Sequence, residues 1–139
     1  MRLRELQYVE VEELAPEVAV LPVGSTEQHG PHAPLGTDSM IAEMMAHTAC
    51  EETDVPCLPP LQVGLAEHHR NFAGTLYVSG ETFRRFVYET VESLADHGIR
   101  SCVIVNNHGS NSASLTETAR QLSWNSPITT VVWEWMNTQ

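Results

Sequence analysis

Two short polar stretches concentrate the residue types that bind and activate ligands. Gly24-Ser25-Thr26-Glu27-Gln28-His29-Gly30-Pro31-His32 packs a glutamate and two histidines together, and Asp38 follows soon after. Glu27 and His29 are two positions apart, so in an extended segment their side chains leave the same side of the chain. Carboxylate and imidazole are the usual protein ligands for zinc or manganese where thiolates are absent. Three such groups could hold one cation, or two if a carboxylate bridges. Asn106-Asn107-His108-Gly109-Ser110-Asn111 sets another histidine among small, turn-forming residues. A third stretch, Glu67-His68-His69-Arg70-Asn71-Phe72-Ala73-Gly74-Thr75, carries a histidine pair ahead of a glycine. That pair could ligate metal, position a substrate or face water, with His68 reading as the more solvated of the two. A histidine alone in a turn is ordinarily bonded to its own loop. Two such loops, each directly after an apolar run, favour convergence on one site.

Those apolar runs are the elements that must position the loops. Val18-Ala19-Val20-Leu21-Pro22-Val23 and Ser101-Cys102-Val103-Ile104-Val105 read as buried strands. Ile128 to Trp135 reads as a third strand, and Cys57–Leu61 and Thr75–Val78 as two shorter ones. Met40, Ile41, Met44 and Met45 have helical spacing, with Thr37 or Asp38 as the expected N-cap. A second helix opens at Ser79 and closes at His97-Gly98, where glycine can take the left-handed position. A third covers Ser114 to Leu122. Near-continuous apolar strands alternating with helices predict a parallel sheet covered on both faces, with ligands gathering at the carboxyl ends of its strands.

Composition narrows the function classes. The chain has 139 residues, which predicts one domain spanning 1–139, and a formal net charge of −11. All seven basic residues are arginines, with no lysine. Phosphate backbones and anionic membrane surfaces need a basic footprint, so neither nucleic acid nor membrane is expected as a partner. The lysine-free acidic composition reads as adaptation to high salt in preference to simple acidic drift. No apolar run suits a membrane span, and Met1-Arg2-Leu3-Arg4-Glu5 does not resemble a secretory leader, so a cytoplasmic location is expected. Cys50, Cys57 and Cys102 form no CxxC pair and are expected to be buried thiols. There is no GxSxG nucleophile turn and no GxGxxG or GxxxxGK[ST] nucleotide loop.

Taken together, Leu21 to His32 and Leu35-Gly36-Thr37-Asp38 closely resemble the first motif of the creatininase (creatinine amidohydrolase) family. Glu67-His68-His69 with Phe72-Ala73-Gly74-Thr75 resembles that family's His-x-x-Phe-Pro-Gly-Thr segment, with His69 in the histidine position and Ala73 where proline is usual. Asn106 to Asn111 resembles its Asn-Gly-His-Gly-Gly-Asn motif, with Asn107 and Ser110 as departures. The resemblance implies a three-layer α/β/α fold with a mostly parallel sheet, and a hydrolase site for one or two divalent cations, zinc or manganese. It implies that Glu27 and His108 bind one cation, that His29 binds the other, and that Asp38 bridges them. Glu27, Asp38 and His108 would then carry catalysis, with His69, Ser110 and His32 meeting the substrate. The substrate would be a small-molecule amide, cleaved at a non-peptide C–N bond by metal-activated hydroxide. Ser110 stands where creatininase has a glutamate for the second cation. Other members draw that glutamate from a later segment, and the resemblance marks this chain as the N-terminal part of the usual domain. The expected sources of the missing carboxylate are Glu134 or another subunit. The alternative is an inactive or single-metal member acting as a binding or assembly subunit. Apolar Trp133, Trp135 and Met136 predict a homo-oligomer that buries the sheet edge.

Overall fold

The computed structural model describes residues 1–135. Within them the regular elements are α1 (Tyr8–Leu14), β1 (Val18–Val23), α2 (Thr37–Thr53), α3 (Gly80–Glu92), β2 (Ser101–Asn106), α4 (Ser112–Asn125) and β3 (Thr129–Trp133). The strands are parallel and lie in the order β1-β2-β3. Alternation along each strand sends side chains to both faces. Ala19, Leu21, Val23, Cys102 and Ile104 pack with Phe83, Val87 and Val91 of α3 and with Leu115 and Leu122 of α4. Val20 and Val105 pack with Ala46 and Cys50 of α2 on the opposite face. Helices therefore cover both sides of the sheet in three α/β/α layers. Each fully buried Leu, Ile or Phe contributes about 1.5–3 kcal/mol against exposure.

Register decides where the polar loops meet. Val23 at the end of β1 pairs with Asn106 at the end of β2, so the segments that follow them leave the sheet side by side. Gly24 is required there. A Cβ on it would lie 2.4 Å from the Ser39 backbone nitrogen, and only glycine lets β1 run so close to the first turn of α2.

Several local expectations shift. Residues 57–61 and 75–78 form isolated bridges, Cys57 with Val20, Leu61 with Val23, Leu76 with Thr26 and Tyr77 with Gly64. Pro59 and Pro60 lack the N–H groups a ladder needs, so the first of these pairs with β1 only at its two ends, Cys57 and Leu61. The α2 N-cap is Gly36, with no side-chain cap. Asp38 is not the cap because its carboxylate is engaged elsewhere, and the Thr37 hydroxyl donates to the Pro34 carbonyl. α3 behaves as expected, with Ser79 Oγ accepting from the Thr82 N–H, and Gly98 takes φ +85° after a closing 3-10 turn over Ser93–His97. The short α1, with its Gln7–Glu10 capping box, is an element the residue pattern does not announce.

The three thiols are buried and free, and burial pushes those of Cys57 and Cys102 up to about 12. β3 stops at Trp133, two residues short of the expected strand end; Trp133 and the following Trp135 are exposed at 38% and 54%, and Met136 lies outside the described residues. No described helix is long and apolar enough to cross a membrane.

Candidate metal centre

Three chain segments converge at the carboxyl ends of β1 and β2. The loop after β1 brings Ser25, Glu27 and His29, the first turn of α2 brings Asp38, and the loop after β2 brings His108. Glu27, Asp38 and His108 are buried. Asn111 ties the arrangement together: its Oδ1 accepts from the Leu65 N–H at 3.0 Å and its Nδ2 donates to the Gly24 carbonyl at 3.0 Å. Asn106 fixes the turn from within, with Oδ1 accepting from the His108 N–H at 3.2 Å and Nδ2 donating to the His108 carbonyl at 3.0 Å.

The two histidines share a pattern. His29 Nδ1 faces the Glu27 carbonyl at 3.0 Å, and its Nε2 faces Asp38 Oδ1 at 3.0 Å. His108 Nε2 faces the Leu65 carbonyl at 3.2 Å, and its Nδ1 faces Asp38 Oδ2 at 2.9 Å and Glu27 Oε1 at 3.5 Å. A carbonyl oxygen only accepts, so the nitrogen facing it holds a proton. The other nitrogen then faces carboxylates, which when ionised also only accept. The mismatch is relieved by a second proton on the ring or by a cation between the groups. A backbone carbonyl that fixes one nitrogen while the other meets carboxylates is the usual support for a metal-ligating histidine.

The electrostatics agree. Burial disfavours charge on His108, but the Asp38 hydrogen bond, the Leu65 carbonyl and the nearby Glu27 and Asp38 charges outweigh it and hold its pKa above the ordinary imidazole value. His29 is raised on the same balance, burial opposing and the Glu27 carbonyl and Asp38 prevailing. Burial also pushes Asp38 up, yet hydrogen bonds from His108, Ser25 and His29 hold it below the usual carboxylate value. Ser25 Oγ donates to Asp38 Oδ2 at 2.8 Å. Among the described residues Glu27 Oε2 is a buried carboxylate oxygen with no hydrogen-bond partner. Such an orphaned acceptor, with the oxygen and nitrogen donors around it, fits a divalent cation. Glu27, His29 and Asp38 each present a ligand atom within 4.8 Å of the others.

An open cleft of about 530 Å³ adjoins these groups, lined among others by Glu27, Asp38, His68, His108, Ser110 and Trp135. Ser110, expected to meet the substrate, lines this cleft. His32 is exposed and lies against Gly30, where a Cβ would meet its ring at 2.9 Å. His69 stands beside Glu27 and Gln28, its Nε2 3.8 Å from Glu27 Oε1 and its Nδ1 2.9 Å from Gln28 Nε2. His68, read from sequence as the solvated member of the pair, is exposed but lines the cleft with its ring stacked toward His108 at a 6.2 Å centroid distance. Asn107, a departure from the family pattern, accepts from the Trp135 indole N–H at 2.6 Å. Glu134 is buried and accepts from Asn106 Nδ2 at 2.7 Å. Sequence reasoning misses the supports Ser25, Asn106, Asn111 and the Leu65 carbonyl. Ser25 and the two asparagines lie within the motif stretches, whereas a backbone carbonyl leaves no trace in residue identity.

The sequence matches the family described as Creatininase, creatinine amidohydrolase, over residues 4–139. It is 37% identical over 113 residues to the mycofactocin precursor peptide peptidase of Mycobacterium ulcerans (strain Agy99), covering 74% of this chain and 44% of that protein. The chain thus spans less than half the length of this curated relative. Among solved structures, a manganese form of creatininase superposes with a TM-score of 0.87 at 27% identity, over 98% of this chain and 58% of the other. A Zn–Zn form of a creatininase point mutant superposes at 0.86, with the same identity and coverage.

Proposed function

The chain belongs to the creatininase family, and from that premise we propose that it forms the cation-binding part of a metal-dependent amidohydrolase acting on a non-peptide C–N bond, a cyclic amide or a formamide. The single observation that carries this is the paired histidine geometry: His29 and His108 each spend one nitrogen on a backbone carbonyl and turn the other toward Asp38. Glu27, Asp38 and His108 would hold one cation, and His29 with the second oxygen of Asp38 would hold another. Zinc or manganese in these positions supplies Lewis acidity, acidifying water and polarising a carbonyl. The chain's own residues do the rest. Ser25 orients Asp38, the carbonyls of Glu27 and Leu65 orient the imidazoles, and Ser110 offers a hydroxyl to a small amide entering the cleft.

A second reading, one cation only, has its own support. Ser110 brings a hydroxyl to the cleft where the family's creatininase branch has a carboxylate. The position beside His29 and Asp38 then needs a further ligand, from another subunit or from Glu134, whose carboxylate here accepts from Asn106 Nδ2.

Elemental analysis of the purified chain separates the readings. Two equivalents of zinc or manganese support the two-cation site, one supports the single-cation site, and none refutes both. Asp38→Ala should abolish stoichiometric metal; a variant that keeps its full complement refutes the bridging role. Hydrolysis assays on creatinine and on a formamido-pyrimidine then test the bond class.

A further inference from the structure

Three contacts run in line behind Glu27. The Gly30 N–H donates to Gln28 Oε1 at 3.0 Å, Gln28 Nε2 lies 2.9 Å from His69 Nδ1, and His69 Nε2 lies 3.8 Å from Glu27 Oε1. The chemistry of each group fixes the next. A backbone amide can only donate, so the Gln28 atom facing it is the carbonyl oxygen. The other atom is the amide nitrogen, which only donates, so His69 Nδ1 must accept. A neutral imidazole that accepts at Nδ1 carries its proton on Nε2, and that nitrogen faces Glu27. Gly30 reaches its place in this line at φ +68°, a conformation that favours glycine.

We infer that Gln28 is a positioning residue: it locks His69 with its Nε2–H turned toward the Glu27 carboxylate 3.8 Å away, an electrostatic contact that steadies this carboxylate from outside, so that His69 is not itself a metal ligand. Ligand type alone suggests otherwise. Glu27, His68 and His69 each bring a ligand atom within 4.8 Å of the others, a grouping that could pass for a separate cation site. The tautomer removes His69 from it, because its one lone pair is already taken by the Gln28 amide. His29 and His108 differ from it in kind: a carbonyl behind an imidazole frees the front nitrogen to ligate, whereas an amide NH₂ behind it turns the front nitrogen into a donor.

The inference rests on reading Glu27 as a cation ligand, but its central measurement does not need metal. Long-range ¹H–¹⁵N spectra of the full chain labelled in histidine, with and without zinc, report which nitrogen of each ring holds the proton. His69 is assigned by the signals lost in His69→Gln. The expected result is a pyrrole-type Nε2 and a pyridine-type Nδ1 for His69 in both samples. A proton on Nδ1, or a zinc-bound shift at Nε2, overturns the inference. In Gln28→Glu an acceptor replaces the donor, and His69 Nδ1 should gain a proton; an unchanged Nε2–H tautomer overturns the role of Gln28. If the chain takes up no zinc, the proposed cation site fails while the metal-free spectrum still decides the tautomer.

Discussion

Two sets of histidines surround Glu27, and they differ in what stands behind the ring. His29 and His108 are backed by the carbonyls of Glu27 and Leu65. His69 is backed by the Gln28 amide, and His68 is solvent-exposed with its ring 4.1 Å from that of His69. All four are the same residue type with a ring nitrogen close to the Glu27 carboxylate. On the proposed reading, what separates a ligand from a donor or a bystander is the partner of the far nitrogen, which no count of histidines reveals.

Removing one member of the first set tests this contrast most severely. His108→Ala should lower zinc affinity well beyond the roughly 10- to 100-fold that loss of an outer-shell partner costs, read by competition with a chromophoric chelator. Affinity within tenfold of wild type would erase the distinction. Ser25→Ala removes the hydroxyl that donates to Asp38 Oδ2, leaving every proposed ligand in place. It should cost roughly 10- to 100-fold in zinc affinity, with little change in fold by circular dichroism.

Proton linkage probes the same contrast without mutating a histidine. His29 and His108 are raised above 6.5, so their contribution to stability is full below 6.5 and is lost as pH rises through their folded values. Asp38 is lowered below 3.8, so its contribution is present above 3.8 and is lost as pH falls through its folded value. The metal-free cluster should therefore stabilise most between about 3.8 and 6.5. Urea denaturation of metal-free wild type against Asp38→Asn should show its largest difference in that window and a smaller one above it. Zinc should reverse the trend on the alkaline side, because ligand nitrogens must be free of protons to bind. A difference that is flat with pH would contradict the arrangement. The smallest effect belongs to His68→Ala, which should leave zinc affinity nearly unchanged; a loss comparable to that of His108→Ala would make His68 a ligand.

Much of this site is legible in residue order. Glu27, His29, Asp38 and His108 stand out because ligand-type side chains follow apolar strands, and a parallel sheet gathers such loops at one end. The strands themselves are legible where apolar runs are unbroken, as at 18–23 and 101–105. At 57–61 the same signal misleads, because an apolar run containing two prolines cannot sustain a ladder. The short helix α1 escapes notice because Tyr8–Leu14 spans only seven residues, too few for a periodic pattern to stand out, and buries none of them.

Residue identity and order were enough to set the family, the layered α/β class and the four ligand-type residues, since these depend on side-chain chemistry and on local pattern. The folded arrangement was needed for the register that sets Val23 beside Asn106 and for the approach of Gly24 to α2. It alone placed the Leu65 carbonyl behind His108 and the Gln28 amide behind His69. Those facts depend on distances between segments far apart in the chain. A ring nitrogen becomes a ligand or a donor through the group that meets its other side, and folding brings that group there.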